Sequence, residues 1–174
     1  MRMINFQRER QFSNYDCGAS ALVSVLSYYD IDSDETELMK IAKTNKKYGT
    51  STKGVERVLK KFKLKYKIEK MNVDMLKEYI RKKIPVIICL QAWEGKKVKN
   101  WQGIWASGHY VIPIGYEENK IYFDDPYRVF ETYLTSKELE DRWHDKDFEL
   151  NEKEINLGIA VFGKHSEKKP IHMD

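Results

Sequence analysis

The apolar residues of this 174-residue chain change period part-way along, and that change limits the folds open to it. After Asp16, the set Ala19, Leu22, Val23, Leu26 and Tyr29 recurs at three- and four-residue steps, which predicts a helix over 17–29 with one face in a core. A second helix is predicted over 34–44, with Leu38, Ile41 and Ala42 inward. Tyr48-Gly49-Thr50-Ser51 breaks the pattern before a third, through Val55, Val58, Leu59 and Phe62. A fourth starts at Asn72, a good N-cap, and carries Met75, Leu76, Tyr79 and Ile80.

Beyond residue 84 the signal is that of strands. Segments 85–90 and 109–116 read as buried strands, and Glu118-Asn119 turns the second into 120–124 as an antiparallel hairpin. A further strand is expected over 129–133. Thr135-Ser136-Lys137-Glu138 has the capping-box form and predicts a short helix carrying Leu139 and Trp143, and 155–162 reads as the last strand. Helices first and an antiparallel sheet second predict one α+β domain over 1–163, with a polar tail over 164–174.

Composition removes several alternatives. With 41% hydrophobic and 33% charged residues the chain has the makings of a folded globular protein. Its longest apolar stretch, 84–90, is far short of the roughly 20 residues that span a bilayer. The N-terminal MRMINFQRER lacks the apolar centre of a signal peptide, so a cytoplasmic location is expected, with Cys17 and Cys89 as free thiols. The net charge of +4 is concentrated between Lys53 and Lys83, but apolar residues interleave there at structural spacing. That run therefore reads as solvated helix and strand faces, and no nucleic-acid partner is expected.

The chemistry centres on Cys17. A thiol becomes a strong nucleophile when its thiolate is stabilised, commonly by a helix N-terminus and a nearby imidazolium. Cys17 sits where the first helical period begins, after the turn-forming Ser13-Asn14-Tyr15-Asp16, and Gly18 lets the backbone approach closely. Of the four histidines, only His109 begins a strongly apolar strand, which holds a ring better than a loop. His144 lies in the charged segment WHDKD and His165 and His172 near the end, and all three are expected at the surface. Asp125 follows strand 120–124 and would lie across the hairpin from the start of the His109 strand, where a carboxylate orients an imidazole. Asp124 is its rival, but strand alternation points it the other way. No further Cys, His or carboxylate stands at metal-ligand spacing from this pair, so neither a metal nor a cofactor is expected.

Taken together, Gln11, Asp16-Cys17-Gly18-Ala19, Tyr28-Tyr29, Gly49-Thr50-Ser51, Gly108-His109-Tyr110-Val111 and Asp125-Pro126 resemble, in order, the bacteriocin-processing (double-glycine leader) peptidases. The resemblance runs from Gln11 to Phe162. It implies a papain-like fold and a cysteine peptidase with Cys17 as nucleophile, His109 as base, Asp125 as orienter and Gln11 as a donor to the oxyanion. Donors placed where charge develops are what acyl transfer needs. Asp16, Gly49, Thr50, Ser51 and Gly108 are then expected along the cleft of a peptide or protein substrate. No transporter segment accompanies the domain here, so a stand-alone peptidase domain is expected. Trp93, Trp101 and Trp105, in the long segment before His109, read either as anchors of a loop on the core or as walls of the cleft, with Trp93 a candidate substrate contact. Two other uses of the same fold stay open: a peptide-binding module without catalysis, and an acyl transferase or isopeptidase in which an amine intercepts the acyl-enzyme. Oligomeric state is not written in these residues.

Overall fold

A computed structural model describes residues 2–4, 10–95 and 97–165; most of the expected polar tail, and His172 with it, lies outside these. In chain order the elements are β1 (Arg2–Met3), α1 (Cys17–Tyr28), α2 (Glu35–Ala42), α3 (Thr52–Lys61), β2 (Lys65–Lys70) and α4 (Val73–Arg81). They continue with β3 (Val86–Gln91), β4 (Gly108–Glu117), β5 (Lys120–Asp124), β6 (Thr132–Thr135), α5 (Ser136–Arg142), β7 (His144–Asp147), β8 (Glu152–Ile155) and β9 (Leu157–Phe162). Helix starts follow the sequence closely. Asp34, Ser51 and Asn72 each accept from the backbone N–H three residues on, and Thr135 and Glu138 close a reciprocal capping box.

The main sheet is antiparallel throughout, in the order β2-β9-β3-β4-β5-β6, with β1 paired to the far end of β4. Each face carries a core. On one, α1, α2 and α3 enclose Leu22, Leu26, Leu38 and Leu59 against Ile87, Tyr110, Ile112 and Ile159. On the other, α4 and α5 bring Leu76 and Leu139 onto Ile88, Val111, Phe123 and Trp143. This is the expected α+β arrangement of an N-terminal helical half on a C-terminal antiparallel sheet. No helix among the described residues is long and apolar enough to cross a membrane.

Three local expectations need correction. Helix α1 buries every residue except Ser27 rather than one face, because α2 and α3 cover the side that β4 does not. Its small residues, Gly18, Ala19, Ser20, Ala21 and Ser24, permit that enclosure. The basic stretch after α3 does supply the solvated strand face expected of it: in β2, Tyr66 and Ile68 turn inward with period two while Lys65 and Lys67 face water. The strand expected over 129–133 starts only at Thr132, because Asp125 accepts from Tyr127 N and Thr132 Oγ1 and ties the intervening segment into a loop. The expected last strand is broken at Asn156, whose φ of 54° separates β8 from β9 and frees β8 to pair with β7 in a separate hairpin.

Candidate active site

Cys17 is the first residue of α1, and Asp16 is its N-cap. The Asp16 carboxylate does not cap the helix. Its Oδ2 turns back and accepts from Phe12 N at 3.1 Å and Ser13 N at 2.8 Å, which shapes the loop before the cysteine. The first turn of α1 thus keeps its N–H groups clear of a side-chain cap, with Cys17 beside them. Gly18 follows because the turn at Thr50 presses on the helix: a Cβ there would stand 2.7 Å from the Thr50 Cβ.

His109 is the second residue of β4 and Asp125 follows β5 directly; the register pairs Ile112 with Asp124, so the two side chains meet at the open end of the hairpin. His109 Nε2 lies 2.6 Å from Asp125 Oδ1, with both side chains almost wholly buried. Burial works against charge on the ring, but the hydrogen bond and charge of Asp125 and the proximity of Cys17 outweigh it, and the His109 pKa is pushed up to about 9. Burial likewise opposes charge on Asp125, yet hydrogen bonds from His109, Tyr127 N and Thr132 hold its pKa below the ordinary carboxylate value.

Gln11 joins this group through its backbone, which donates to Pro126 O at 3.0 Å, next to Asp125. Its side-chain Nε2 donates to Ser13 O at 2.6 Å. One of the two amide protons is thereby used within the loop that Asp16 shapes.

Two cavities flank His109. One, of about 310 Å³, has Cys17 in its lining, with Tyr15, Gly49, Thr50, Trp105 and Gly108 around it. The other, of about 480 Å³, has His109 and Asp125 at its end and Leu90, Trp93, Phe123 and Leu134 along its walls. Of the residues expected along the cleft, Gly49, Thr50, Gly108 and Trp93 line these cavities. Asp16 and Ser51 are buried and line neither; Ser51 caps α3 and donates to Glu149 Oε1 at 2.6 Å.

The tryptophan segment is anchored at two points and lines a cavity at two. Trp101 packs beneath the Arg142 guanidinium and Trp105 against His144, which pins the loop. Trp93 stacks on Tyr127 beside His109, and Trp93 and Trp105 each face a cavity. His144 is the clearest correction here. It is buried, not on the surface, and its Nε2 lies 2.7 Å from Ile104 O, because the β7 and β8 hairpin folds it inward over the loop. His165 is exposed as expected, though its ring stacks on Tyr28.

Sequence reasoning missed the support beneath the site. Gln91, fully buried at the end of β3, accepts from Ser107 N and donates to His144 O and Asp145 Oδ1, which fixes the start of the strand that carries His109. Asp145 also accepts from the Cys89 thiol at 3.1 Å. Burial, and then the Asp145 charge, push the Cys89 pKa well up. A Cβ on Gly108 would meet the Asp145 carboxylate at 2.7 Å, so the residue before the histidine has no room to be anything larger. Only a glutamine ending an apolar strand hinted at this network.

Residues 5–154 match the family model described as the Peptidase C39 family. The chain belongs to the Peptidase C39 family. That membership makes it a peptidase of the cysteine type, as the resemblance to leader peptidases implied. Its fold is shared with solved C39 domains. The peptidase domain of Streptococcus ComA, a bifunctional ABC transporter of a quorum-sensing pathway, superposes with a TM-score of 0.66 at 22% identity, over 92% of this chain and 99% of that one. A putative C39-like peptidase from Bacillus anthracis gives 0.69 at 15% identity, over 95% and 100%. A double-glycine-motif protease from an AMS/PCAT transporter, solved with its leader peptide, gives 0.66 at 16%, over 91% and 92%. No curated protein matches the chain.

Proposed function

We propose that this C39 peptidase hydrolyses a peptide bond through an acyl-enzyme on Cys17, with His109 as base and acid and Asp125 orienting it. One observation carries the reading: a buried imidazole held between the only cysteine at a helix start and a buried carboxylate. Asp125 occupies Nε2, so Nδ1 serves the thiol. The raised pKa of His109 favours the imidazolium, which with the N-terminus of α1 places positive charge beside the Cys17 sulfur.

Attack by the Cys17 sulfur on the peptide carbonyl moves an electron pair onto its oxygen. The Cys17 N–H and the second amide proton of Gln11 are the donors proposed for that oxyanion. The bond through Ser13 O holds the Gln11 amide, so little reorganisation is needed as charge develops. His109 gives its proton to the leaving amine, then takes one from water as it attacks the thioester, returning the thiolate and imidazolium pair. The proposed substrate is a peptide segment lying across Cys17 from one flanking cavity to the other. A bound leader peptide in the AMS/PCAT relative supports that class.

The test is covalent capture. A peptide aldehyde or chloromethyl ketone should modify Cys17 alone in the folded protein, and Cys17→Ala should abolish both capture and cleavage. Modification of Cys89, or unchanged cleavage in the variant, would overturn the reading.

A further inference from the structure

The two cavities beside His109 differ in charge, and the difference points to substrate selection. Around the one that contains Cys17 stand Lys46, Lys47 and Lys146, all exposed. They come from opposite banks. Lys46 and Lys47 sit in the turn closed by the Asn45 to Gly49 bridge, where Asn45 Oδ1 accepts from Lys47 N at 2.8 Å and Tyr48 N at 3.2 Å. Lys146 projects from β7. A fourth ammonium, that of Lys153, stands 4.5 Å over the Trp105 ring.

Five lysines elsewhere sit in ion pairs: Lys53 and Lys60 with Glu56, Lys67 with Glu69, Lys82 with Glu78, and Lys137 with Asp141. None of the three rim lysines forms an ion pair among the described residues. Asp145 is the one carboxylate in the lining of this cavity, and its oxygens are already engaged by Cys89 and Gln91. The lining of the other cavity carries both signs, Lys120 and Arg142 with Asp125 and Glu138, and Arg142 is paired to Glu138.

We infer that the Cys17 cavity selects peptides carrying an Asp or Glu close to the scissile bond, with Lys46, Lys47 and Lys146 as the specificity-determining residues. An extended peptide advances about 3.3–3.6 Å per residue, so three residues on either side of the bond reach about 10 Å along the cavity. Charges on both banks of a cleft reinforce one another at its centre and attract the acidic segment before contact, so the preference weakens with added salt. The inference rests on the proposed use of Cys17 as the site at which peptide binds.

The experiment uses pairs of peptides identical except for Glu or Gln at each of three positions on either side of a cleavable bond. Protection of Cys17 from iodoacetamide by each peptide reads binding without turnover, and kcat/KM is measured in parallel. Each protein's own unprotected labelling rate is its baseline. At one position or more the Glu peptide should bind more tightly, by roughly two- to fivefold for each lysine involved, and the margin should shrink at high salt. The triple variant Lys46→Glu, Lys47→Glu, Lys146→Glu should reverse the preference, and Lys→Gln at the three sites should flatten it. Equal protection by every pair in the native protein, or a Glu preference that survives the triple reversal, would overturn the inference. Selective protection without cleavage would retain the inference and remove the peptidase reading instead.

Discussion

Cys17 and Cys89 line the same cavity, but only Cys17 shares a helix start with a histidine in reach; the Cys89 thiol donates a hydrogen bond to the half-buried Asp145 carboxylate. The charge on His109 is the quantity to perturb. In Asp125→Asn a neutral amide replaces the anion whose hydrogen bond is the largest single effect raising the ring's pKa, so the His109 pKa should fall from about 9 toward the ordinary value near 6.5. The alkaline limb of kcat/KM should move down with it; a limb that stayed in place would mean that Asp125 does not set the charge. The same shift has a stability sign. A histidine raised above its unfolded pKa stabilises fully below about pH 6.5, and that contribution is lost as pH rises through about 9. Gln11→Ala separates two chemistries. Loss of an oxyanion donor should cut peptide turnover about 10²–10³-fold, whereas alkylation of Cys17, which makes no oxyanion, should keep close to its native rate. Turnover within threefold of native in a folded variant would remove Gln11 from the mechanism.

At the scale of elements, the β7 and β8 hairpin acts as a strap between the two halves. Asp147 accepts from Thr52 N on α3 at 3.0 Å and from Glu149 N and Leu150 N at 2.8 Å, and Glu149 takes Ser51 Oγ and the guanidinium of Arg57. Asp147→Ala strands these donors, one of them buried, and should cost about 2–4 kcal/mol, read as a lower urea midpoint at unchanged m. A loss under 0.5 kcal/mol would show the strap to be slack. This hairpin is also where the sequence was least legible. Cys17, His109 and Asp125 announce themselves, because a helix start, a strand start and a hairpin return are local signals. HDKD and EKEI carry no apolar alternation, and their pairing depends on buried acceptors meeting donors from α3 and β3, far away in the chain. His144 was misplaced for the same reason: a charged neighbourhood says nothing of a tryptophan folded over it from forty residues upstream. The lysines of strand β2 hide its bounds but not its character, because Tyr66 and Ile68 alternate with them.

Across the whole molecule, the junction between the halves gathers negative charge. Glu154 accepts from Thr52 Oγ1, and burial followed by the repulsion of Asp147, Asp145 and Glu152 raises its pKa to about 7. A carboxyl raised on folding binds more protons in the native state, so stability should fall as pH climbs from about 4.5 to 7. Glu154→Gln should flatten that decline, narrowing the difference in Tm between pH 5 and pH 7.5; an unchanged slope would assign it to other groups. The strand order carries a last consequence. Strand β9, nearly the final segment described, lies between β2 and β3, so it separates the sheet into an inner and an outer part until it is inserted. During synthesis Cys17 leaves the ribosome long before the strand that completes its scaffold. A nascent chain halted before Leu157 should carry Cys17 yet fail to capture a peptide electrophile, and capture should begin only once Phe162 is free. The order of translation would thus keep a new peptidase inert beside the nascent chains around it.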